Sequence, residues 1–191
     1  MSPRRIDLEL DELARLATAS KSLGEQVISV AACYADVLRA GGTLFFCGNG
    51  GSAADAQHIA AEYVVRYAKT RRPLAAIALT TDSSILTAIA NDFGYEQVFA
   101  RQVEALCRAG DLLVMHSTSG RSPNLLAAAR AARARGVTTV AFLGSGGGEL
   151  AALVDHALVV PSEVTGRIQV LHLTLEHLIV ELVEEALQPT G

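Results

Sequence analysis

TLFFCGNGGSAADAQHIAAE, residues 43–62, runs from a short apolar stretch through three glycines into an alanine-rich one. An apolar run of this length that stops at glycine reads as a buried strand, and the stretch after it reads as a helix. The same grammar recurs in LAAIAL (74–79), DLLVMH (111–116), VTTVAFL (137–143) and HALVV (156–160), each ending in small or polar residues before a helical pattern. Buried strands that alternate with helices predict an α/β fold. The expected architecture is a five-stranded parallel sheet flanked by helices on both faces, a flavodoxin-like or Rossmann-like three-layer sandwich.

Outward from this centre, the first forty residues place Ile6, Leu8, Leu10, Leu13 and Leu16, then Val27, Val30, Cys33, Val37 and Leu38, at helical spacing. They predict two amphipathic helices that stop at Gly41-Gly42. From about Gly166 to Leu187 no proline or further glycine interrupts Ile168, Leu171, Leu175, Leu178, Ile179, Leu182 and Val183, which predicts one long, largely buried helix. So much apolar helix surface on one chain predicts packing between copies.

At 191 residues the chain suits a single domain spanning 1–191, with 1–40 as a helical oligomerisation segment. Half the residues are hydrophobic and 19% charged, which excludes disorder. A net charge of −4 argues against a nucleic-acid partner. Cys33, Cys47 and Cys107 have no CxxC spacing, so the sequence predicts neither a disulfide framework nor a cysteine zinc site, and a reducing cytoplasm. No leader or membrane-spanning stretch is read.

Four motifs carry chemistry. In CGNGGSAADAQH (47–58) the glycines let backbone approach a ligand, and Ser52 is positioned to cap the helix that follows. Gly48, Gly50 and Ala53 also fit the G-x-G-x-x-A dinucleotide pattern. No acidic residue stands about 20 residues on to hold a ribose, so a nucleotide cofactor is not expected. In STSGRSPN (117–124), Ser117, Thr118, Ser119 and Ser122 surround Gly120, with Pro123 at a helix start: a donor-rich anion cradle without lysine. His58 and Glu62, four apart, share one helix face and can share a metal or a proton.

The fourth motif, RIQVLHLTLEH (167–177), puts Gln169, His172, Glu176 and His177 on an otherwise apolar helix, where polar groups need partners or a task. Gln169 and His177 are separated by roughly 12 Å along a regular helix, so joint ligation needs side chains that converge from both ends, an irregular first turn, or different copies. Of the lesser features, GSGGGE (144–149) reads as a flexible turn into a short helix or as a border of a ligand site, and RYAKTRR (66–72) as a solvated loop from which Arg66 could reach a neighbouring subunit's phosphate. Asn91 and Asp92 beside Gly94 read as a helix cap or a sugar-hydroxyl contact.

Together CGNGGSAADAQHIAAE, LTTDSSILTAIANDFGYEQVFARQVEAL, GDLLVMHSTSGRSPN and RIQVLHLTLEH resemble the sugar isomerase (SIS) domain family, and within it the phosphoheptose isomerases. The resemblance implies isomerisation of sedoheptulose 7-phosphate to D-glycero-D-manno-heptose 7-phosphate, with Glu62 and His177 as the catalytic acid/base pair. It implies a zinc site of His58, Glu62, Gln169 and His177. It implies substrate contacts from Asn49, Gly50, Gly51, Glu62, Asn91, Asp92, Ser117, Thr118, Ser119, Ser122 and Gln169, and a homotetramer with sites at subunit interfaces. Two positions depart from the family's pattern: Val170 stands where glutamate is usual, and His116 where a small or aromatic residue is usual. Two alternatives stand beside this reading: a non-catalytic SIS protein that binds the replication initiator DnaA, and a sugar-phosphate sensor. Glu62 and His177 separate the isomerase from the former, which lacks both.

Overall fold

Successive residues of a strand face opposite ways, and here each side meets its own apolar layer. A computed structural model describes residues 3–188; residues 1, 2 and 189–191 of the expected 1–191 domain lie outside the described residues. Helices α1 (Pro3–Ala19) and α2 (Gly24–Arg39) precede β1 (Leu44–Gly48) and α3 (Gly51–Val64). Then come β2 (Ala76–Ala78), α4 (Ser83–Phe93), α5 (Ala100–Leu106), β3 (Leu112–Ser117) and α6 (Pro123–Ala134). The chain closes with β4 (Thr138–Leu143), β5 (His156–Val159) and α7 (Thr165–Ala186).

The strands form one parallel sheet in the order β2-β1-β3-β4-β5. On one face, Phe46, Val114 and Phe142 pack with Tyr34 of α2, Ile59 and Tyr63 of α3, and Ile179 of α7. On the other, Phe45, Met115 and Ala141 pack with Val103 of α5 and Leu125 and Ala128 of α6. Each large apolar side chain so buried contributes about 1.5–3 kcal/mol of transfer free energy. The three-layer sandwich expected from the apolar runs is the fold observed.

After β1 the chain moves to one side to make β2, and β3 then returns to β1's other side. The connections leaving β1 and β3 therefore diverge, opening a crevice beyond their C-terminal ends, where ligands of open α/β sheets bind. The glycine loop and the serine loop are those two connections.

Two local expectations are corrected. Ser52 does not cap α3: Gly50 takes the N-cap position at φ 57°, and Ser52 is buried inside the first turn. RYAKTRR is not simply solvated. The backbone N–H groups of Tyr67, Ala68 and Lys69 donate to the carboxylate of Glu184 at 3.0–3.1 Å, and Arg71 Nε donates at 3.0 Å. Burial opposes ionisation of Glu184, yet these donors overcome it and hold its carboxyl below the usual range. Arg71 also donates to the carbonyls of Tyr63 and Glu62, so the loop secures the C-terminal turn of α3.

Candidate active site

Helices α3 and α7 lie against each other on one face of the sheet. Where they meet, His58 Nε2 lies 3.2 Å from Glu62 Oε1 and 3.4 Å from His177 Nε2. One ligand atom from each of the three falls within 4.8 Å of the others. The i,i+4 spacing of α3 supplies two groups on one face, and α7 brings the third from far along the chain. His58 is exposed and the other two half-buried, so solvent and ligands reach them.

Partial burial, with His58 nearby, pushes the His177 imidazole below its ordinary pKa. A ring that stays neutral can accept a proton or ligate a metal. Imidazole nitrogens and a carboxylate are the donor set of catalytic zinc, so the cluster fits a divalent ion. Tyr67 stacks on His177 with ring centroids 5.0 Å apart. No sequence signal singled out Tyr67 within a basic loop.

Gln169 does not join this cluster within the chain. It lies against the glycine loop, where a Cβ on Gly51 would come 2.5 Å from its Nε2. Eight residues of α7, or about 12 Å, separate it from His177. Gly51 is thus required for the close approach of a polar α7 side chain to the start of α3.

The serine loop caps β3. Ser117 is buried and its Oγ accepts from the Gly120 N–H at 3.0 Å, while Ser119 Oγ accepts from the Arg121 N–H at 3.2 Å. Both hydroxyl hydrogens stay available for a ligand. Gly120 has φ 62°, and a side chain there would collide with the carbonyl of Gly147. GSGGGE is therefore the buttress behind the cradle, where the sequence suggested a flexible turn. Ser122 occupies the N-cap position of α6 and Pro123 its first turn, so the helix presents its N-terminus towards the cradle.

Asn49, in the glycine loop, exchanges two hydrogen bonds with Asn124 of α6 at 2.8 and 2.9 Å. Asn124 was missed from the sequence. Asn91 and Asp92 are exposed in the last turn of α4 and bond each other at 2.7 Å. Of the two departures, Val170 is exposed and His116 wholly buried, its Nε2 2.8 Å from Glu176 Oε1.

The doubly wound sheet with its two diverging loops is the frame of a ligand-binding α/β domain, and a profile of the SIS domain matches residues 10–144. The chain belongs to the SIS family, and within it to the phosphoheptose isomerases. It is 56% identical over 161 residues to the phosphoheptose isomerase of Roseiflexus sp. (strain RS-1), a match covering 84% of this chain and 82% of that one. The solved phosphoheptose isomerase of Neisseria gonorrhoeae superposes with a TM-score of 0.89 at 42% identity, covering 95% of this chain and 98% of that one. That of Francisella tularensis gives 0.93 at 31% identity, covering 97% and 99%. Neither a DnaA-binding role nor a sensor role is favoured beside these. Among the described residues no helix is long and apolar enough to cross a membrane.

Proposed function

We propose that this chain interconverts sedoheptulose 7-phosphate and D-glycero-D-manno-heptose 7-phosphate beside the crevice between β1 and β3. The observation that carries the reading is the convergence of His58, Glu62 and His177 within 4.8 Å, in a chain of this family. Ketose–aldose exchange moves a proton between adjacent carbons and another between their oxygens. Glu62 takes a C1 proton of the ketose, leaving an enediolate, and delivers a proton to C2 after exchange with solvent. His177 carries the proton between O2 and O1, for which its neutral ring is suited.

The hydroxyls and N–H groups of Ser117, Thr118, Ser119 and Ser122, at the α6 N-terminus, hold the distant phosphate. Binding energy collected there orients C1 and C2. Asn49, Gly50 and Gly51 line the β1 side of the crevice, and Asn91 and Asp92 contact sugar hydroxyls. His58, Glu62 and His177 would hold a divalent ion, Zn²⁺ as the family resemblance implies, with Gln169 contributed by another copy. Bound there, such an ion would supply Lewis-acid polarisation of the carbonyl and hydroxyl oxygens at the reacting end.

Assembly of four copies through the N-terminal segment is supported by Ile6, Leu8, Leu10 and Ile28, each 56–62% exposed. Light scattering at micromolar concentration should give the tetramer mass; a monomer would remove the second copy. Three free thiols support a reducing cytoplasm.

Proton NMR of sedoheptulose 7-phosphate with the zinc-loaded protein in D₂O tests the reaction. Aldose signals carrying deuterium at C2 are expected. A sugar left unchanged by a folded, metal-loaded sample would overturn the reading.

A further inference from the structure

We propose that Asn124, assisted by Tyr95, is a positioning residue that fixes the amide of Asn49 with one N–H free, so that the glycine loop presents a donor to an oxygen of the sugar phosphate. The inference rests on the reading of this crevice as the sugar-phosphate site. Its ground is a count of donors and acceptors around one side chain.

Asn49 sits where β1 hands over to α3, and Asn124 is the second residue of α6. Asn49 Nδ2 donates to Asn124 Oδ1 at 2.9 Å, and Asn124 Nδ2 donates back to Asn49 Oδ1 at 2.8 Å. Tyr95 Oη, from the turn after α4, donates to the same Asn49 Oδ1 at 3.2 Å. An amide oxygen has two lone pairs and an amide nitrogen two hydrogens. Both acceptor sites of Asn49 are therefore filled, and one of its two donors is used. What remains is a single N–H.

An unclasped asparagine can turn its amide by half a rotation and offer its oxygen instead. Facing a phosphate or a hydroxyl lone pair, that oxygen would repel where the N–H attracts. Turning both amides together would keep the two clasp bonds, so the Tyr95 hydroxyl donating to Asn49 Oδ1 sets which end faces the ligand. The clasp holds the amide in place before the ligand arrives, which lowers the ordering cost of binding. Asn124 is 3% exposed, so it reaches a ligand only through Asn49, whereas Tyr95 is 57% exposed and contributes its hydroxyl from outside. The clasp also ties together the two connections that diverge at the switch point, and Tyr95 adds the turn that follows Asn91 and Asp92.

The test is a double-mutant cycle read as separate KM and kcat values. Asn124→Leu keeps volume and removes both clasp bonds. It should raise KM about tenfold, the equivalent of about 1.4 kcal/mol, with kcat within about twofold. In the Asn49→Ala background it should change KM no further, because the residue it acts through is gone. An equal rise in both backgrounds, or no rise in either, would overturn the proposal. Tyr95→Phe removes one exposed hydroxyl and keeps the test alive if Asn124→Leu fails to fold. It should raise KM about twofold, again only with Asn49 present.

Side-chain amide NMR of the ligand-free protein separates this inference from the proposed reaction. The Asn49 Nδ2 hydrogens should differ in exchange rate, one slow and one fast, and Asn124→Leu should make both fast. Two fast hydrogens in the unmodified protein would overturn the clasp whatever the substrate. A split pair in a protein that leaves the heptose phosphate unchanged would preserve the clasp and remove the reaction.

Discussion

Helix α7 carries two adjacent acid/base residues whose surroundings differ as much as one chain permits. His177 faces His58 and Glu62 in a half-open cluster, while Glu176, one residue earlier, points into the core and meets His116 with both side chains at most 1% exposed. The His116 ring lies between Phe46 and Phe142, nearly parallel to both, at centroid distances of 6.4 and 5.5 Å. Burial drives the pKa of His116 down, but the Glu176 charge and contact outweigh it and hold the imidazole above its ordinary value. In the open cluster burial prevails and His177 is lowered. The same two residue types thus stand in an open cluster on one side of a helix and in the core on the other, and environment alone sorts them.

The comparison breaks most sharply at Glu62. Glu62→Gln should lower kcat about a thousandfold, within the span of general acid–base catalysis, and leave the thermal midpoint in place. Retained turnover in the NMR assay would remove Glu62 as the base. The buried pair should behave in the opposite way. Glu176→Leu strands a buried histidine and should cost about 3–5 kcal/mol in urea unfolding. His116→Phe combined with Glu176→Leu should recover most of that, because phenylalanine continues the aromatic row. If the single change is neutral, the pair is not a unit.

A third contrast uses metal. His58→Ala should weaken zinc binding, read by equilibrium dialysis, by at least the roughly 10–100-fold that loss of an outer-shell partner costs. His116→Phe with Glu176→Leu should leave it unchanged. The smallest effect concerns His172, also buried on α7, whose pKa is pushed down to about 3 by burial. Below about pH 6.5 the unfolded chain takes up a proton there that the folded chain refuses. Its contribution is therefore complete above pH 6.5 and is lost as pH falls towards 3, at about 1.4 kcal/mol per pH unit. Urea midpoints measured from pH 7 to 5 should fall more steeply for the unmodified protein than for His172→Leu.

The sheet and its helices were legible because their signals are local. Apolar runs such as TLFFC, and the spacing from Ile168 to Val183, need no partner to be read. The serine loop was legible for the same reason, as hydroxyls around one glycine before Pro123. The buried pair was not, since 60 positions separate His116 from Glu176 and neither residue's neighbours announce the other. The Asn49–Asn124 clasp, 75 residues apart, was equally hidden. Ser52 shows the opposite error: a good capping residue was displaced because the chain conformation of Gly50 starts α3 earlier. Local chemistry proposed candidates, and only the folded chain chose among them.

The Glu184 carboxylate, near the end of α7, collects four donors from residues 67–71. For anyone handling the protein, this makes the C-terminus a poor place to trim. Removing the chain from residue 184 onward would release the Tyr67 ring that stacks on His177, and an exoprotease that nibbles the last turn would act as a slow inactivator.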